Sequence, residues 1–300
     1  VAKVPHPLVS RSTAIDRMGA AARRVLSDGM WGTVLAGFKR CFYVEDRIGR
    51  LVCVGDESIG AGPLNATLNH DEVFFIPAAG APVWVDGDVL YVDGWPAFSL
   101  TNTLVWYPKP APTNWNVRAL SKGLKIVADV SRFIMPDDGF GRLIAVGEDF
   151  DFPIGRLGKT PIEMLRGWIE GEPPAEACGL IGLGPGLTPS GDDFLGGYLL
   201  ALRAIGRDSM ADQLRDLIMP VARENTGRIS AAHLGCAAAG IGAEVLHKLI
   251  CAIITGDRPA IGLGLRNVGE IGHSSGWDAT AGVVCALTMA TTKTWRQMKC

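Results

Sequence analysis

The N-terminal third of the chain alternates short apolar runs with turn residues, a pattern typical of β-strands. Between Val34 and Trp106 the runs are rich in β-branched and aromatic residues, and Gly, Asp and Pro separate them at regular intervals. Pairs such as Asp86-Gly87 and Asp93-Gly94 favour tight turns between antiparallel strands. The pattern therefore predicts an antiparallel β-sheet or a small barrel. The predicted strands are Arg40–Val44, Arg50–Val54, Glu72–Ile76, Pro82–Val85, Val89–Val92 and Leu104–Tyr107.

A short helix is predicted before this β-rich stretch, and a linker after it. Thr13-Ala-Ile-Asp16 has the spacing of a capping box, and apolar residues at helical intervals follow as far as Asp28. The run Pro108-Lys-Pro110-Ala-Pro112 continues neither a strand nor a helix and is interpreted as a linker. Within the β-rich stretch, the small-residue loop Gly60–Asn65 is either a ligand contact or an ordinary turn.

The rest of the chain has helical periodicity, with apolar positions recurring every three or four residues. The sequence therefore predicts an α+β protein. Residues 1–112 are expected to form a β-rich N-terminal domain with a leading helix, folded as an antiparallel sheet or barrel. Residues 113–300 are expected to form a glycine-rich C-terminal α-helical bundle that carries the site. The predicted helical segments are Asn116–Arg132, Thr160–Gly171, Ser190–Ile205, Met210–Val221, the long run Ile229–Ile254, and Ser275–Thr291.

Composition and charge argue against several classes of protein. The chain has 300 residues, 48% of them hydrophobic, and a formal net charge of −2. Because it has no block of Lys or Arg, we expect neither a nucleic-acid partner nor a polybasic membrane patch. The apolar run Leu249–Ile254 is too short to span a bilayer. Seven cysteines without Cys-x-x-Cys spacing are expected to be reduced thiols. With no signal-peptide pattern recognised, we expect a cytoplasmic protein.

A glycine-rich segment carries the strongest chemical signal. Glycines permit positive φ and a close approach of backbone to ligand, and a helix start after them presents free amides to an anion. The segment matches neither the P-loop nor the Rossmann fingerprint, so it predicts a small-anion site of another design. Its candidate binding residues are Gly184, Gly186, Thr188, Ser190 and Gly191. It reads Gly179-Leu-Ile-Gly182-Leu-Gly184-Pro-Gly186-Leu-Thr188-Pro-Ser190-Gly191-Asp192-Asp193-Phe-Leu-Gly196-Gly197.

A second segment repeats part of this pattern. Ser190–Gly197 and Ser275–Gly282 both read Ser-Gly-x-Asp-x-x-x-Gly. Helices that begin alike can face one another in one bundle, and we expect the two starts to converge on one site, with Ser275 among the binding residues. In the alternative interpretation each motif is only a capping box, in which the serine pairs with the acid three residues later. That alternative leaves Asp192 and the loop glycines unexplained.

Arg228 and His273 are candidate functional side chains outside the glycine loop. Arg228 lies at another predicted helix start, and a guanidinium can hold a carboxylate or phosphate with two bonds. It is otherwise a surface ion pair. His273 and Ser274 lie in a small-residue setting where an imidazole can serve as a hydrogen-bond donor or general acid. Alternatively, His273 only satisfies a helix end.

Three aspartates complete the candidate catalytic set with His273 and Ser274. They are Asp192, Asp193 and Asp278. No His/Cys cluster has zinc spacing, and we expect no cofactor. The alternative is that the three carboxylates together hold Mg²⁺ through oxygen ligands.

The two motifs resemble those of a bacterial domain family of largely unassigned function. The residues that carry the resemblance are Gly-Leu-Gly-Pro-Gly-Leu-Thr-Pro-Ser-Gly-Asp-Asp at 182–193 and Gly-His-Ser-Ser-Gly-x-Asp at 272–278. One branch of that family is the oxamate carbamoyltransferase subunit of anaerobic allantoin catabolism. The similarity is strong over Cys178–Gly282 and weaker over the N-terminal half, where it depends mainly on Gly62-Pro63-Leu64.

If that branch's activity applies, the resemblance implies carbamoyl transfer between carbamoyl phosphate and oxamate, giving oxalurate and phosphate, or the reverse. The loop amides of Gly184–Ser190 would then hold phosphate, and Arg228 the oxamate carboxylate. His273 or Ser274 would polarise the carbamoyl oxygen. Asp192 or Asp193 would orient the attacking nitrogen. The resemblance also implies further subunits of the same enzyme, with a homo-oligomer as another possibility.

Two other classes of function are open at this point. One is a Mg²⁺-dependent hydrolase in an Asp-lined helical bundle, in which the metal activates water. The other is a non-catalytic subunit that binds a ligand or a partner chain without turnover.

Overall fold

The computed structural model describes residues 13–68, 76–146 and 149–292. The chain divides into two compact units, Val1–Tyr107 and Pro108–Cys300. The first is a β-barrel and the second is helical, so the protein is α+β as predicted. The predicted strand Glu72–Ile76 falls mainly outside the described residues.

Eight strands of the first unit close into a ring in the order β5-β4-β3-β2-β6-β7-β8-β1, and β1 pairs with β5 to complete it. The barrel is mixed rather than purely antiparallel, because β1 runs parallel to β8 and β9 and β4 runs parallel to β5. Its interior is filled by apolar side chains, among them Phe42 and Leu90. The elements are β1 Thr13–Gly19, α1 Ala20–Val25, β2 Trp31–Phe38, β3 Cys41–Asp46, β4 Leu51–Gly55, β5 Asn65–Leu68, β6 Pro82–Asp86, β7 Val89–Val92, β8 Phe98–Ser99 and β9 Leu104–Trp106.

The start of the predicted leading helix is wrong, because Thr13–Gly19 forms strand β1 and only Ala20–Val25 is helical. Ile15 and Met18 are both buried, at the three-residue spacing that indicates a helix face. The pairing of β1 with β5 is irregular between Ile15 and Arg17. A bulge of this kind shifts the side-chain alternation by one position, so that two residues three apart face the same interior.

The small-residue loop Gly60–Asn65 has a packing role in the barrel. A Cβ added to Gly19 would lie 2.0 Å from the carbonyl oxygen of Gly62 and 2.3 Å from that of Pro63. The Asn65 side chain closes the loop by donating to the carbonyls of Ile59 and Gly60. These contacts explain why residue 19 is a glycine and hold the Gly60–Asn65 loop in place.

The helical unit is built around two central helices, α5 (Ser190–Ala204) and α10 (Ser275–Met289). Both are buried on nearly every side, as expected of helices at the centre of a layered core. No helix in the described part of the chain is long and apolar enough to cross a membrane. The surrounding helices are α2 Val117–Ser131, α3 Arg142–Val146, α4 Pro153–Gly167, α6 Asp208–Asn225, α7 Arg228–Ala238, α8 Glu244–Thr255 and α9 Arg258–Val268.

Helix α4 begins earlier than predicted, the predicted run Ile229–Ile254 is divided in two, and α3 and α9 were not predicted. Helix α4 begins at Pro153, and the predicted start at Pro161 lies inside it, because the earlier proline already occupies the first turn, where a missing N–H costs least. The predicted long run Ile229–Ile254 is two helices, α7 and α8. Gly240 between them has φ of 80°, which an α-helix cannot contain.

Glycines bring α5 and α10 into backbone contact. A Cβ added to Gly197 would lie 1.8 Å from the carbonyl oxygen of Ala279, and one added to Gly282 would lie 1.9 Å from that of Phe194. Gly197 and Gly282 are the last residues of the two repeated motifs. The contacts are reciprocal, since each glycine meets the residue that follows the motif acid of the other helix. The repeated pattern therefore corresponds to a local pseudo-twofold pair of helices.

Candidate functional site

The glycine loop before α5 has a backbone that only glycine adopts readily. Gly182, Gly184 and Gly186 have φ of 72°, 116° and 96°, all in the region that side chains disfavour. A Cβ added to Gly184 would lie 2.9 Å from the Ser190 amide nitrogen. At the tip of the loop, Leu187 is 52% exposed. The loop thus folds back on the first turn of α5 and presents its tip to solvent.

Three helix starts meet at this loop. The hydroxyl oxygens of Thr188 and Ser275 are 2.9 Å apart, which joins the glycine loop to the start of α10. A Cβ added to Gly227, the residue before α7, would lie 3.9 Å from the carbonyl oxygen of Leu187. The two sequence motifs therefore converge in space, and the positive ends of three helix dipoles point into one region.

The two motifs are not capping boxes, so that interpretation is wrong. No side chain caps α5 or α10, whose cap positions are Pro189 and Ser274. The hydroxyl of Ser275 instead interacts with Asp193 on the other helix, and the hydroxyl of Ser190 with Asp278. Each serine thus interacts with the acid of the opposite motif, which links the two helix starts side chain to side chain.

Asp278 is fully buried and fixed by backbone from a distant loop. Its Oδ1 accepts a hydrogen bond from the Phe140 amide, and Gly139, with φ of 76°, packs its backbone directly on the carboxyl group. Oδ2 is buried without a hydrogen-bond partner. Burial raises the pKa of Asp278, while the Phe140 amide and the hydroxyls of Ser274 and Ser190 lower it. The Asp137-Asp138-Gly139 turn is therefore part of this region.

The carboxyl of Asp193 lies at the same helix starts, next to the hydroxyls of Ser275 and Thr188. Its Oδ2 is also buried without a hydrogen-bond partner. Burial raises the pKa of Asp193 well above its ordinary value of 3.8, and the charges of Asp278 and Asp192 raise it further. The hydroxyls of Ser275 and Thr188 oppose this rise. Protonation of Asp193 is thus favoured, and a protonated carboxyl can donate a hydrogen bond.

Asp192 has a structural role at the same helix start. Its Oδ1 accepts from the Gly182 amide at 2.9 Å, and its Oδ2 accepts from the hydroxyls of Thr226 and Ser230, the latter at 2.6 Å. The side chain is 3% exposed. It holds the glycine loop, the end of α6 and the first turn of α7 together. Thr226 and Ser230 had no sequence signal beyond their position around a helix start.

His273 and Arg228 both lie at the surface near this region. His273 is 80% exposed, and its Nε2 lies 3.1 Å from Oδ2 of Asp138. Arg228 is the first residue of α7, and its side chain is exposed. Both candidate side chains are thus exposed to solvent, while the acids are largely buried.

The structure does not favour a metal site at the three aspartates. Among the described residues, no group of three or more His, Cys, Asp or Glu side chains could hold a metal ion. Both carboxylate oxygens of Asp192 already accept from Gly182, Thr226 and Ser230. The alternative with Asp192, Asp193 and Asp278 as joint Mg²⁺ ligands stays a prediction, and Asp192 already accepts from these three donors.

A cavity of about 470 Å³ lies elsewhere in the helical unit. The proline-rich run Pro108–Pro112, the C-terminal end of α5 and His247 line it. A 15-residue helix such as α5 is roughly 22 Å long, which separates this cavity from the glycine loop at the other end. The loop region is instead an exposed surface above a buried acid pair.

The comparisons with known proteins address the same part of the chain. Residues 180–287 match the family model described as oxamate carbamoyltransferase subunit AllH. No curated protein and no solved structure matches the chain. The matched range contains the glycine loop, all three convergent helix starts and both repeated motifs. This part of the chain is therefore similar to the family described as oxamate carbamoyltransferase subunit AllH, the family that its motifs resemble.

Proposed function

We propose that this protein is a subunit of a carbamoyltransferase that acts on oxamate or oxalurate with carbamoyl phosphate, and that the glycine loop binds the small anionic substrates. The observation that carries the proposal is the hydrogen bond between Thr188 and Ser275, within the range that matches the AllH family. It joins the two motifs into one surface.

The chemistry of that surface suits an anion. Loop glycines leave backbone amides unobstructed, and the starts of α5, α7 and α10 add favourable dipole ends. Arg228, at the first position of α7, is the candidate for the oxamate carboxylate, because a guanidinium matches a carboxylate with two hydrogen bonds. The amides of Gly184–Ser190 are the candidates for phosphate.

Acids beneath an anion site need an explanation, since ionised carboxylates repel an anion. Asp192 accepts from three donors, the Gly182 amide and the hydroxyls of Thr226 and Ser230, and Asp278 accepts from the Phe140 amide. The raised pKa of Asp193 favours its neutral form. These features reduce the negative potential at the loop.

The hydroxyl groups are better placed than His273 to polarise a carbamoyl oxygen. His273 is exposed and lies against Asp138, and the hydroxyl of Ser274 interacts with Asp278. Thr188 and Ser275 lie between the exposed loop and Asp193. In the transfer, a C–N bond forms to oxamate, the C–O bond to phosphate breaks, and the nitrogen gives up one proton. We assign Thr188 and Ser275 to the developing negative charge on the carbamoyl oxygen.

A phosphorolysis assay tests this function. Oxalurate and phosphate are supplied to the chain alone and to the chain with its partner subunits, and carbamoyl phosphate formation is measured. The expected result is turnover that requires the partners and falls at least tenfold in Ser275→Ala, from loss of a hydrogen bond to a charged group. Equal turnover with wild-type chain and Ser275→Ala would overturn the proposed role of the loop.

A non-catalytic ligand-binding subunit is the second candidate, and the word subunit in the family description favours it. A thermal-shift series with phosphate, carbamoyl phosphate, oxamate and oxalurate distinguishes it, because a ligand that binds only the native state raises Tm. Stabilisation by these anions, with turnover unaffected by any loop substitution, would support this second candidate.

A further inference from the structure

One buried carboxyl group joins the glycine loop to the start of α7. Asp192 Oδ1 accepts from the Gly182 amide at 2.9 Å, and Oδ2 accepts from the hydroxyls of Thr226 and Ser230. The side chain is almost fully buried, which strengthens these hydrogen bonds and keeps the carboxyl group away from solvent. Asp192 therefore contacts the two segments that carry the candidate binding groups, while it is itself shielded from a ligand.

The two hydroxyls lie on either side of Arg228 in the chain. Thr226 precedes it by two residues, Ser230 follows it by two, and both donate to the same oxygen of Asp192. Gly227, directly before Arg228, lies next to the loop tip, since a Cβ added there would be 3.9 Å from the carbonyl oxygen of Leu187. Two hydrogen bonds that flank one residue fix the backbone from which its side chain extends. The guanidinium of Arg228 thus extends from a turn that Asp192 holds against the loop.

The loop and α7 each have a further attachment that does not involve the side chain of Asp192. The Gly191 amide donates to the carbonyl oxygen of Leu183 at 2.9 Å, which joins the loop to the first turn of α5. Near the other end of α7, a Cβ added to Gly196 of α5 would lie 3.6 Å from Ala237 Cβ, in ordinary contact. Loss of the two hydroxyl bonds therefore frees the first turn of α7 and leaves both elements packed on α5.

We propose that Asp192 is a positioning residue that sets where the Arg228 guanidinium lies relative to the loop amides. It thereby favours a small carboxylate that reaches both groups over an anion that the loop alone holds. Binding groups must be supported to within about 0.5 Å of their productive geometry, and a displacement of about 1 Å can cost about a hundredfold in rate. The inference rests on the proposed function for the two ligand-binding groups. It adds that a residue without ligand contact determines which anion binds.

The test compares two anions by isothermal titration calorimetry on the full chain. Phosphate probes the loop amides, and oxamate probes the loop together with Arg228. Ser230→Ala removes one hydroxyl and leaves Asp192 with two donors. Its affinity for oxamate is expected to fall about fivefold, the equivalent of about one hydrogen bond, while its affinity for phosphate changes less than about twofold. Thr226→Val is expected to have the same selective effect.

A double variant shows whether this effect passes through Arg228. Arg228→Ala is expected to weaken oxamate binding about tenfold or more, because it removes a two-bond contact with a carboxylate. Ser230→Ala added to Arg228→Ala is expected to weaken it no further, because the positioned group is already gone. A merely structural serine would weaken both anions alike and act additively with Arg228→Ala. Thr288→Val and Ser209→Ala change exposed residues of α10 and α6 and are expected to bind both anions as the wild type does.

Hydrogen exchange gives a readout that does not need oxamate. Because the first-turn amides of a helix make no hydrogen bond within it, exchange at residues 228–230 reports the mobility of this turn. Phosphate bound at the loop is expected to slow that exchange at least about twofold in the wild type, since ligand binding stabilises the segments coupled to the site. The Thr226→Val/Ser230→Ala double variant is expected to lose this protection.

Several results would overturn the inference. They are wild-type oxamate affinity in Ser230→Ala, equal losses for phosphate and oxamate, additivity with Arg228→Ala, or protection of the α7 turn that persists in the double variant. If Ser230→Ala does not fold, Thr226→Val provides the same comparison. Phosphate binding without any response to oxamate contradicts the proposed function, and the exchange measurement then decides the inference alone. No binding of either anion contradicts both.

Discussion

The starts of α5 and α10 have the same motif and reciprocal contacts, yet their acids lie in different surroundings. Asp278 accepts from the Phe140 amide and lies against the Gly139 backbone, whereas the Asp193 carboxyl interacts with the hydroxyls of Ser275 and Thr188. A backbone amide has a fixed direction, but a hydroxyl rotates. The comparison teaches that one acid of the pair is held by a backbone amide of fixed direction, whereas the other interacts with hydroxyls that can rotate.

The largest expected effect concerns the backbone contact between α5 and α10. Gly197→Ala and Gly282→Ala each place a methyl group within 2 Å of a backbone carbonyl oxygen, and we expect each to cost about 3 kcal/mol of unfolding free energy or more, by overpacking. Chemical denaturation measures the cost. Gly196→Ala is the matched control, since its Cβ would lie 3.6 Å from Ala237 Cβ in ordinary contact. A cost for Gly197→Ala no greater than that of the control would mean that the helices do not meet as described.

The next largest effect on stability concerns Asp192, an acid that the α5 motif has and the α10 motif lacks. Asp192→Ala leaves the Gly182 amide and the hydroxyls of Thr226 and Ser230 without their acceptor, and we expect it to cost about 2–4 kcal/mol, since each unsatisfied buried donor costs about 1–3 kcal/mol. The equivalent position of the α10 motif is Trp277, which has no carboxylate, so α10 offers no equivalent substitution. Thermal unfolding, with Asp216→Ala as an exposed control, measures the cost, and equal Tm values for the two variants would contradict it.

A smaller effect is a difference between Asp193 and Asp278 in how the stability of the protein depends on pH. The folded-state pKa of Asp193 is raised, so the stability that its proton contributes is complete below the ordinary pKa of 3.8 and is lost as pH rises through the folded value. Asp193→Asn removes this loss and is expected to be more stable than the wild type, by a margin that grows with pH. Urea denaturation between pH 5 and pH 9 measures the margin.

Asp278→Asn sharpens the same comparison. Burial also raises the pKa of Asp278, but the hydrogen bond from the Phe140 amide opposes this rise. We therefore expect a weaker pH dependence of its stability margin than for Asp193→Asn. Identical pH profiles for the two variants would mean that the acids are equivalent after all.

The smallest effect lies at the exposed end of α10. His273→Ala removes a contact with Asp138 in which both side chains are largely exposed, and exposed pairs contribute roughly 0–1 kcal/mol. We expect a change in Tm of less than about 3 °C, as follows from such a small free-energy change. A larger loss would show that His273 supports the helix start.

Local patterns predicted much of this fold. Five of the predicted strands have counterparts in the first unit, four of them in the barrel and the fifth in β9, because alternation and turn pairs are local features of sequence. Strand β1 was missed because its bulge gives Ile15 and Met18 a helical spacing. The split between α7 and α8 was missed because a run of small apolar residues hides the positive φ of Gly240.

The convergence of the two helix starts was predictable from the sequence, but the contacts between their side chains were not. The repeated motif indicated that the starts of α5 and α10 face one another, and Thr188 and Ser275 are in contact. Capping boxes and cross-paired acids use the same residues at the same spacing, so sequence alone cannot choose between them. The role of Gly139 and Phe140 depends on a contact with Asp278 across 138 positions of the chain, for which no local signal exists.

The most direct test of the account is a double-mutant cycle for oxamate binding with Thr188→Val and Ser275→Ala, measured by calorimetry. If the glycine loop and the start of α10 form one anion site, each single substitution weakens binding by about tenfold, and the double variant is scarcely weaker, since the two hydroxyls act as one hydrogen-bonded pair. Additive losses, or wild-type affinity in either single variant, would contradict it.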